Sequence, residues 1–330
     1  MKLILKYFNI HYRKLFKENV TNIEKIKSGI SERMVYRLES DNYSCIAVTN
    51  NKPKENLAFI KFSEVFRNEG LNVPAILYVS RDRHRYLISD LGKTTLFEYQ
   101  QRISPRDKLL KIYKKALRDL IMFQKIGRKK IDFNLCYETK VFDAGQVNFD
   151  FNKFCEFYLS GIAKVNISGK MKSAVLNILN DIVLSIPENQ FMYRDFQPRN
   201  IIIDKNKLGY VDYQSGRIGP VHYDLASFLY SGSIDISPAE RKELFLHYAA
   251  HAEKSGLIST VELKKRFYDV VFLRLLQVFG SYGYSNIVRK RKDVLQKIPK
   301  AIKNIKSIRN KIKHPELVQL AEMIIRAVKC

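Results

Sequence analysis

The stretch Tyr193-Arg194-Asp195-Phe196-Gln197-Pro198-Arg199-Asn200 decides how the rest of this chain is read. Asp195 and Asn200 stand five positions apart in a polar loop. Directly after them, Ile201-Ile202-Ile203 and residues 208–211 are apolar runs joined by Asp204-Lys205-Asn206-Lys207, the pattern of a β-hairpin. Asp212 falls at the end of the second run. Asp and Asn are common turn residues before strands, so the pair alone carries little. With the hairpin and Asp212 it becomes an arrangement suited to phosphoryl transfer. One carboxylate orients or deprotonates an attacking hydroxyl, while an amide oxygen and a second carboxylate hold magnesium against nucleotide phosphates. That chemistry depends on positioning and charge neutralisation, and a hairpin with Asn200 and Asp212 at its opposite ends supplies both.

Towards the N-terminus the pattern is sheet-like. Residues 3–18 repeat apolar positions at helical spacing and predict an opening helix. Strands are predicted at 21–27, 35–40 and 43–49, the last two joined by the turn pair Asp41-Asn42. A helix over 57–66, closed by Asn68-Glu69-Gly70, precedes further strands at 75–79 and 85–89. This β-β-β-α-β-β order ends at Asp90-Leu91-Gly92 and describes a small sheet-rich lobe, residues 1–91, with an exit hinge. Leu91-Gly92-Lys93-Thr94 ends like a phosphate-binding P-loop, but Leu87 stands where its first glycine belongs.

Towards the C-terminus the character is helical. Ser104-Pro105-Arg106-Asp107 opens a helix expected to stop at Gly127. Residues 130–148 read as irregular and aromatic, with helices again at 151–159 and 171–184. Ser237-Pro238-Ala239-Glu240 and Ser259-Thr260-Val261-Glu262 read as capping boxes of two long helices, ending near Gly256 and Gly280. The expected class is α+β, with a mainly helical second lobe, residues 92–330, carrying the embedded hairpin and the acceptor site. Near the end, Arg289-Lys290-Arg291-Lys292 and the lysines up to Lys313 interleave with Val294, Leu295, Ile298, Ile302, Ile305 and Ile308. That spacing predicts an amphipathic helix on the lobe, with a nucleic-acid or membrane-surface patch as the alternative.

Composition narrows the function classes. Hydrophobic residues make up 46 % of the 330 positions, enough for substantial cores and against a disordered chain. The formal charge of +25 favours anionic partners such as nucleotides over a polycationic substrate. Apolar runs are too short to span a membrane, and Lys6, Arg13 and Lys14 interrupt the start too early for a signal peptide. Cys45, Cys136, Cys155 and Cys330 show no metal-finger or disulfide spacing, so reduced thiols and a cytoplasmic location are expected.

The residue identities add a resemblance. Tyr193-Arg194-Asp195 matches the H-R-D pattern of kinases, with Tyr193 at the loop-supporting position. The run 193–200, then Val211-Asp212-Tyr213-Gln214, then Gly219-Pro220-Val221-His222-Tyr223-Asp224-Leu225-Ala226-Ser227 resembles the aminoglycoside phosphotransferase/choline kinase superfamily, with its protein-kinase-like two-lobe fold. Arg199, Gln214 and the Gly-Pro…Tyr-Asp-Leu-Ala-Ser string most resemble the bacterial N-acetylmuramate/N-acetylglucosamine kinase branch. The resemblance implies ATP and Mg2+ as cofactors and a hydroxyl of a small molecule, an amino sugar, as acceptor. It implies Asp195 as base, Asn200 and Asp212 as metal ligands, and Asp224 bracing the loop. Arg199 would lock the loop or neutralise phosphate; a surface arginine is the plain alternative.

On the nucleotide side the chain departs from the family. The third strand, Cys45-Ile46-Ala47-Val48-Thr49-Asn50, lacks the lysine that should reach the phosphates. Arg33, Arg37 and Lys52 are the candidate substitutes, and Ser28, Gly29 and Ser31 form a thin phosphate loop. For the acceptor, Asp143, Asp150 and Asn152 offer short polar groups amid aromatics, and Arg217 an anion contact; a helix N-cap and a solvated loop residue are the bland readings. An aminoglycoside- or choline-type kinase is the second reading. A non-catalytic module binding nucleotide or RNA is the third.

Overall fold

A computed structural model describes residues 2–26, 33–103, 105–186, 189–205 and 207–327. Helix α1 (Lys2–Phe16) leads into strands β1 (Asn22–Ile26), β2 (Met34–Glu39) and β3 (Ser44–Thr49), helix α2 (Pro53–Asn68), and strands β4 (Ile76–Val79) and β5 (Arg85–Ser89). The strands form a five-stranded antiparallel sheet of order β1-β2-β3-β5-β4. Their alternation sends Tyr36, Leu38, Cys45, Ala47 and Leu87 to one face, where they close on Phe8 and Tyr12 of α1. Val48, Tyr86 and Ile88 instead join the large core that α2 shares with the second lobe.

The second lobe begins with β6 (Thr94–Thr95), α3 (Leu96–Arg102), α4 (Arg106–Lys130) and α5 (Ala144–Lys153). A π-helical segment, Phe154–Ser160, precedes α6 (Gly169–Leu184) and β7 (Asn189–Met192). The hairpin follows as β8 (Ile201–Asp204) and β9 (Lys207–Tyr210), then β10 (Arg217–Pro220) and α7 (Val221–Leu229). Helices α8 (Pro238–Lys254), α9 (Thr260–Ile287), α10 (Ile298–Ile308) and α11 (Pro315–Arg326) complete the chain. β6 pairs with the edge of the hairpin, and β7 pairs antiparallel with β10. These two small sheets position the site. β7 feeds the loop 193–200, the hairpin separates Asn200 from Asp212, and β10 leads into α7 beneath the loop.

Two expected helix stops are not stops. α4 passes through Gly127 because a Cβ there would lie 2.3 Å from Phe191 Cγ; the glycine makes room for that ring. α9 likewise passes Gly280, where a Cβ would fall 2.9 Å from the Phe154 backbone nitrogen, so the glycine admits the π-helical segment. The helix expected from 151 starts earlier, at Ala144, because Asp143 caps it by accepting from the Gln146 N–H. The Ser237/Glu240 capping box has both halves; at Ser259 only the hydroxyl-to-Glu262 half is present. The expected cap Ser104 lies outside the described residues, and Pro105 takes the N-cap position. In the basic tail, Ile298, Ile302, Ile305 and Ile308 are buried along α10, while residues 292–297 wind as a 3-10 helix that leaves Leu295 exposed. Among the described residues no helix is long and apolar enough to cross a membrane.

Candidate active site

The loop is fixed from below. Asp224, in the first turn of α7 and fully buried, accepts the backbone N–H of Tyr193 at 2.8 Å and of Arg194 at 2.7 Å. The N-cap of that helix is Pro220, so Asp224 commits its carboxylate to the loop and not to its own helix. Arg194 adopts φ +76°, a left-handed conformation that costs a non-glycine residue about 1 kcal/mol or more and persists only when its surroundings impose it. Burial pushes the Asp224 carboxyl up to about 7, against the two backbone donors and Gln124. Gln124 Nε2 lies 3.4 Å from Asp224, and Tyr248 O–H donates to its Oε1 at 2.5 Å. Buried Tyr193 donates its hydroxyl to the Val211 carbonyl at 2.6 Å, tying the loop to the segment that carries Asp212.

The structure brings Asp195, Asn200 and Asp212 together. Asn200 Nδ2 donates to the Asp195 carbonyl at 2.8 Å and to Asp212 Oδ2 at 3.3 Å, which leaves its amide oxygen as the atom for a cation. Asp212 also adopts the left-handed region, φ +72°, and its Oδ1 accepts from Gln214 Nε2 at 2.9 Å and from the Arg33 guanidinium. Burial would raise its carboxyl, but Arg33, Gln214 and Asn200 hold it below the usual range. Asp195 differs: burial pushes its carboxyl up, neighbouring Asp212 adds to this, and Arg274 Nη2 at 3.8 Å from Oδ1 opposes. A carboxylate and an amide oxygen are the hard donors that magnesium takes, with phosphates and water completing its shell, so the residues present fit that ion. Among the described residues no cluster of three or more His, Cys, Asp or Glu forms a richer metal site.

The expected phosphate-side cations part company. Arg33 lies between Asp212 and Glu55 of α2, its Nε 3.8 Å from Glu55 Oε1. Arg37 sits at the hinge, donating to Asp90 at 2.6 Å, to the Gly92 carbonyl at 2.9 Å and to Glu24 at 3.2 Å. Those contacts place its guanidinium at the lobe junction, on Asp90, Gly92 and Glu24, and not on Asp212. Ser28, Gly29 and Ser31 lie outside the described residues. Arg199 is exposed and places its guanidinium 3.6 Å from the centre of the Phe97 ring on α3, a cation–π clamp on the loop.

Beside Asp195 a cavity of about 150 Å³ opens between the loop, the end of α7 and α9. Gln197, Ser227, Ser231, Gln277 and Tyr282 line it with hydroxyls and amides, and Arg274 is its one cation among the described residues. The four acceptor candidates read from sequence lie elsewhere. Asp143 caps α5, and Asn152 is exposed on that helix. Asp150 is buried, and its Oδ2 has no hydrogen-bond partner among the described residues. Arg217 is 1 % exposed, held by Glu138, Gln146 and Thr139, so it is neither a solvated loop residue nor open to this cavity. A larger open groove, about 480 Å³ around Arg67, Lys115 and Lys207, contains none of the motif residues.

Four contributors escape a reading of the sequence. Arg274 is signalled there only by one charge inside the apolar run 270–276, and Glu55 by an acidic residue opening the helix after the third strand. Glu138, which accepts from Arg194 at 2.5 Å, and Phe97 leave no pattern to find.

Comparison with known proteins gives the family and the fold. The model of the phosphotransferase enzyme family (APH) matches residues 22–257. An N-acetylmuramate/N-acetylglucosamine kinase of Pseudomonas aeruginosa is 26 % identical over 265 residues, covering 79 % of this chain and 73 % of the relative. The choline kinase structure from Streptococcus pneumoniae aligns with a TM-score of 0.61 at 14 % identity, over 92 % of this chain and 99 % of that one. An ADP-bound aminoglycoside phosphotransferase aligns with a TM-score of 0.57 at 17 % identity, over 98 % of both chains. The fold is the two-lobe, protein-kinase-like one, and the chain belongs to the phosphotransferase enzyme family.

Proposed function

We propose that this phosphotransferase moves the γ-phosphoryl group of Mg–ATP to a hydroxyl of an uncharged or acidic amino sugar, of the N-acetylmuramate/N-acetylglucosamine kind. The observation that carries this reading is the cavity beside Asp195: among the described residues Asp195 is its only carboxylate and Arg274 its only cation. A cationic acceptor such as an aminoglycoside or choline is held by carboxylates or an aromatic cage, and Arg274 would repel it. Sugar hydroxyls suit the amide and hydroxyl lining, and the P. aeruginosa relative carries the name of an amino-sugar kinase.

Each residue then has a task. Asp195, its carboxyl raised by burial, accepts the proton of the attacking hydroxyl at a pH where it is still ionised. Asn200 and Asp212 hold Mg2+, which neutralises charge on the phosphates when bound. Asp224 acts through the loop as a positioning residue, fixing the backbone on which Asp195 is carried. Gln214 orients Asp212.

The test is ADP release from Mg–ATP over two acceptor panels, neutral and acidic amino sugars against aminoglycosides and choline, with Asp195→Ala as control. Sugar-dependent turnover absent from the control is expected. Turnover confined to the cationic panel would sink the reading.

A further inference from the structure

We infer that Arg33 supplies the phosphate-binding cation that the third strand lacks, with Glu55 as its fixed tether and Asp212 as the partner it exchanges for a phosphate oxygen. The inference rests on Asp212 as a metal ligand, as proposed above. β3 carries neither lysine nor arginine. Its last residue, Thr49, pairs with Met34 at the start of β2, so Arg33 stands beside the end of the strand where the lysine would be sought. From there its side chain, only 16 % exposed, reaches Glu55 and Asp212 together. Glu55 is held in turn by Asn50 Nδ2 at 3.3 Å and is itself buried.

Kinases place three charges in this relation: a strand lysine, a glutamate on the helix that follows the strand, and a metal-binding aspartate. Here the same relation holds with the cation arriving from the adjacent strand, on a side chain long enough to span the offset. A guanidinium carries five N–H donors in a planar fork, so it can keep Glu55 while presenting others to a phosphate.

The contact with Asp212 gives the inference a signature. A divalent cation on Asp212 repels the guanidinium, so without nucleotide Arg33 and metal compete for one carboxylate. With nucleotide, a phosphate oxygen accepts the displaced guanidinium, and the two cations sit on one polyphosphate. Removing the charge should therefore strengthen metal binding alone and weaken metal–nucleotide binding. A bridge that only held the lobes together would give no such opposition.

The experiment uses the full chain as wild type, Arg33→Met, Arg33→Lys and Glu55→Gln, with thermal unfolding to establish that each is folded. Manganese binding without nucleotide is followed by electron paramagnetic resonance, and Mg–ADP binding by calorimetry. Arg33→Met is expected to bind manganese a few-fold more tightly and Mg–ADP about ten- to a hundredfold more weakly, the range of a charge-assisted hydrogen bond. Arg33→Lys should recover most of the nucleotide affinity, and Glu55→Gln should lose a smaller share. If wild type binds Mg–ADP and Arg33→Met binds it equally, or loses both affinities together, the inference is overturned while the proposed function stands. If wild type binds no Mg–ADP, the nucleotide reading falls first and this inference with it. Should Arg33→Met not fold, Arg33→Gln, which keeps hydrogen-bond donors but carries no charge, is read by the same two affinities: tighter manganese with weaker Mg–ADP supports the assignment, and unchanged Mg–ADP or a joint loss overturns it.

Discussion

The segment from Tyr193 to Gln214 and the cluster around Arg33 meet at Asp212, yet they are assembled by different means. The first is nearly continuous in sequence, and backbone conformation sets its geometry: left-handed Arg194 and Asp212, a hairpin between them, and Asp224 gripping two amide groups. The second gathers side chains from the start of β2, the end of β3 and α2 onto a carboxylate 179 positions away from Arg33. A site half built on backbone tolerates few substitutions. A half built on long side chains can move its cation to a neighbouring strand and keep the same charges in place. That difference is consistent with a chain that keeps Asp195, Asn200 and Asp212 in their loop-and-hairpin arrangement but lacks the strand lysine.

The sharpest way to break the comparison is Asp195→Ala. If chemistry resides in the backbone-built half, kcat should fall by about a thousandfold with the proposed acceptor, within the span of general base catalysis, while Mg–ADP affinity changes little. Steady-state rates and calorimetry on one preparation measure both. A linked expectation concerns pH. The Asp195 carboxyl is raised, mainly by burial, and a base works only when ionised. Activity should therefore rise with pH through a value displaced upward from that of a free aspartate and be lost below it, the acid limb belonging jointly to Asp195 and the also raised Asp224. A rate flat from about pH 4 to 7 would place the base elsewhere.

The same contrast separates what is legible in the amino-acid sequence from what is not. Asp195, Asn200 and Asp212 are picked out by short-range pattern, a loop and a hairpin, whereas Asp224 stands out only through the family resemblance of the string around it. The succession of elements along the first lobe is legible from short-range pattern too, with β5 at the expected 85–89. Arg274 and Glu55 are not, since nothing local says which distant element their charges face. The glycines mislead for a related reason. Gly127 and Gly280 carry a helix-stop signature, but what decides them is a Phe191 ring and a Phe154 backbone brought up from other elements. Acceptor residues suffer most. Asp143 and Arg217 have the right chemistry for a ligand, but Asp143 caps its own helix, the plain alternative for it, and tertiary packing buries Arg217 against Glu138.

A second, smaller effect is expected from Asp224→Asn, which touches no reacting atom. Both its oxygens accept backbone N–H groups, so an amide in their place sets an NH2 group against one of the two donors. The left-handed Arg194 then loses half of what imposes it. We expect kcat to fall about tenfold to a hundredfold with KM for the acceptor little changed, in line with the loss of one charge-assisted hydrogen bond. The acid limb of the pH profile should also change, since one of its two raised carboxyls is gone. A loss of stability with an unaltered pH profile and an equal fall in all kinetic constants would make Asp224 a packing residue only.

The smallest effect should come from Phe97→Ala, and it tests whether the backbone-built half is self-sufficient. Arg199, one residue before Asn200, is held from outside the loop by the Phe97 ring at 3.6 Å, on the helix that follows the lobe hinge. A cation–π contact at an exposed site contributes about 0.5–1 kcal/mol, so losing it should slow turnover by roughly two- to fivefold. Phe97→Tyr keeps the ring face and should restore the rate, whereas Phe97→Leu keeps the bulk without the quadrupole and should not. If Leu restores it as well as Tyr, the ring acts by packing alone. If neither Ala nor Leu slows the enzyme, then Asp224, Tyr193 and the hairpin hold Asn200 without help from α3, and the independence of the backbone-built half is stronger than the Arg199 contact suggests.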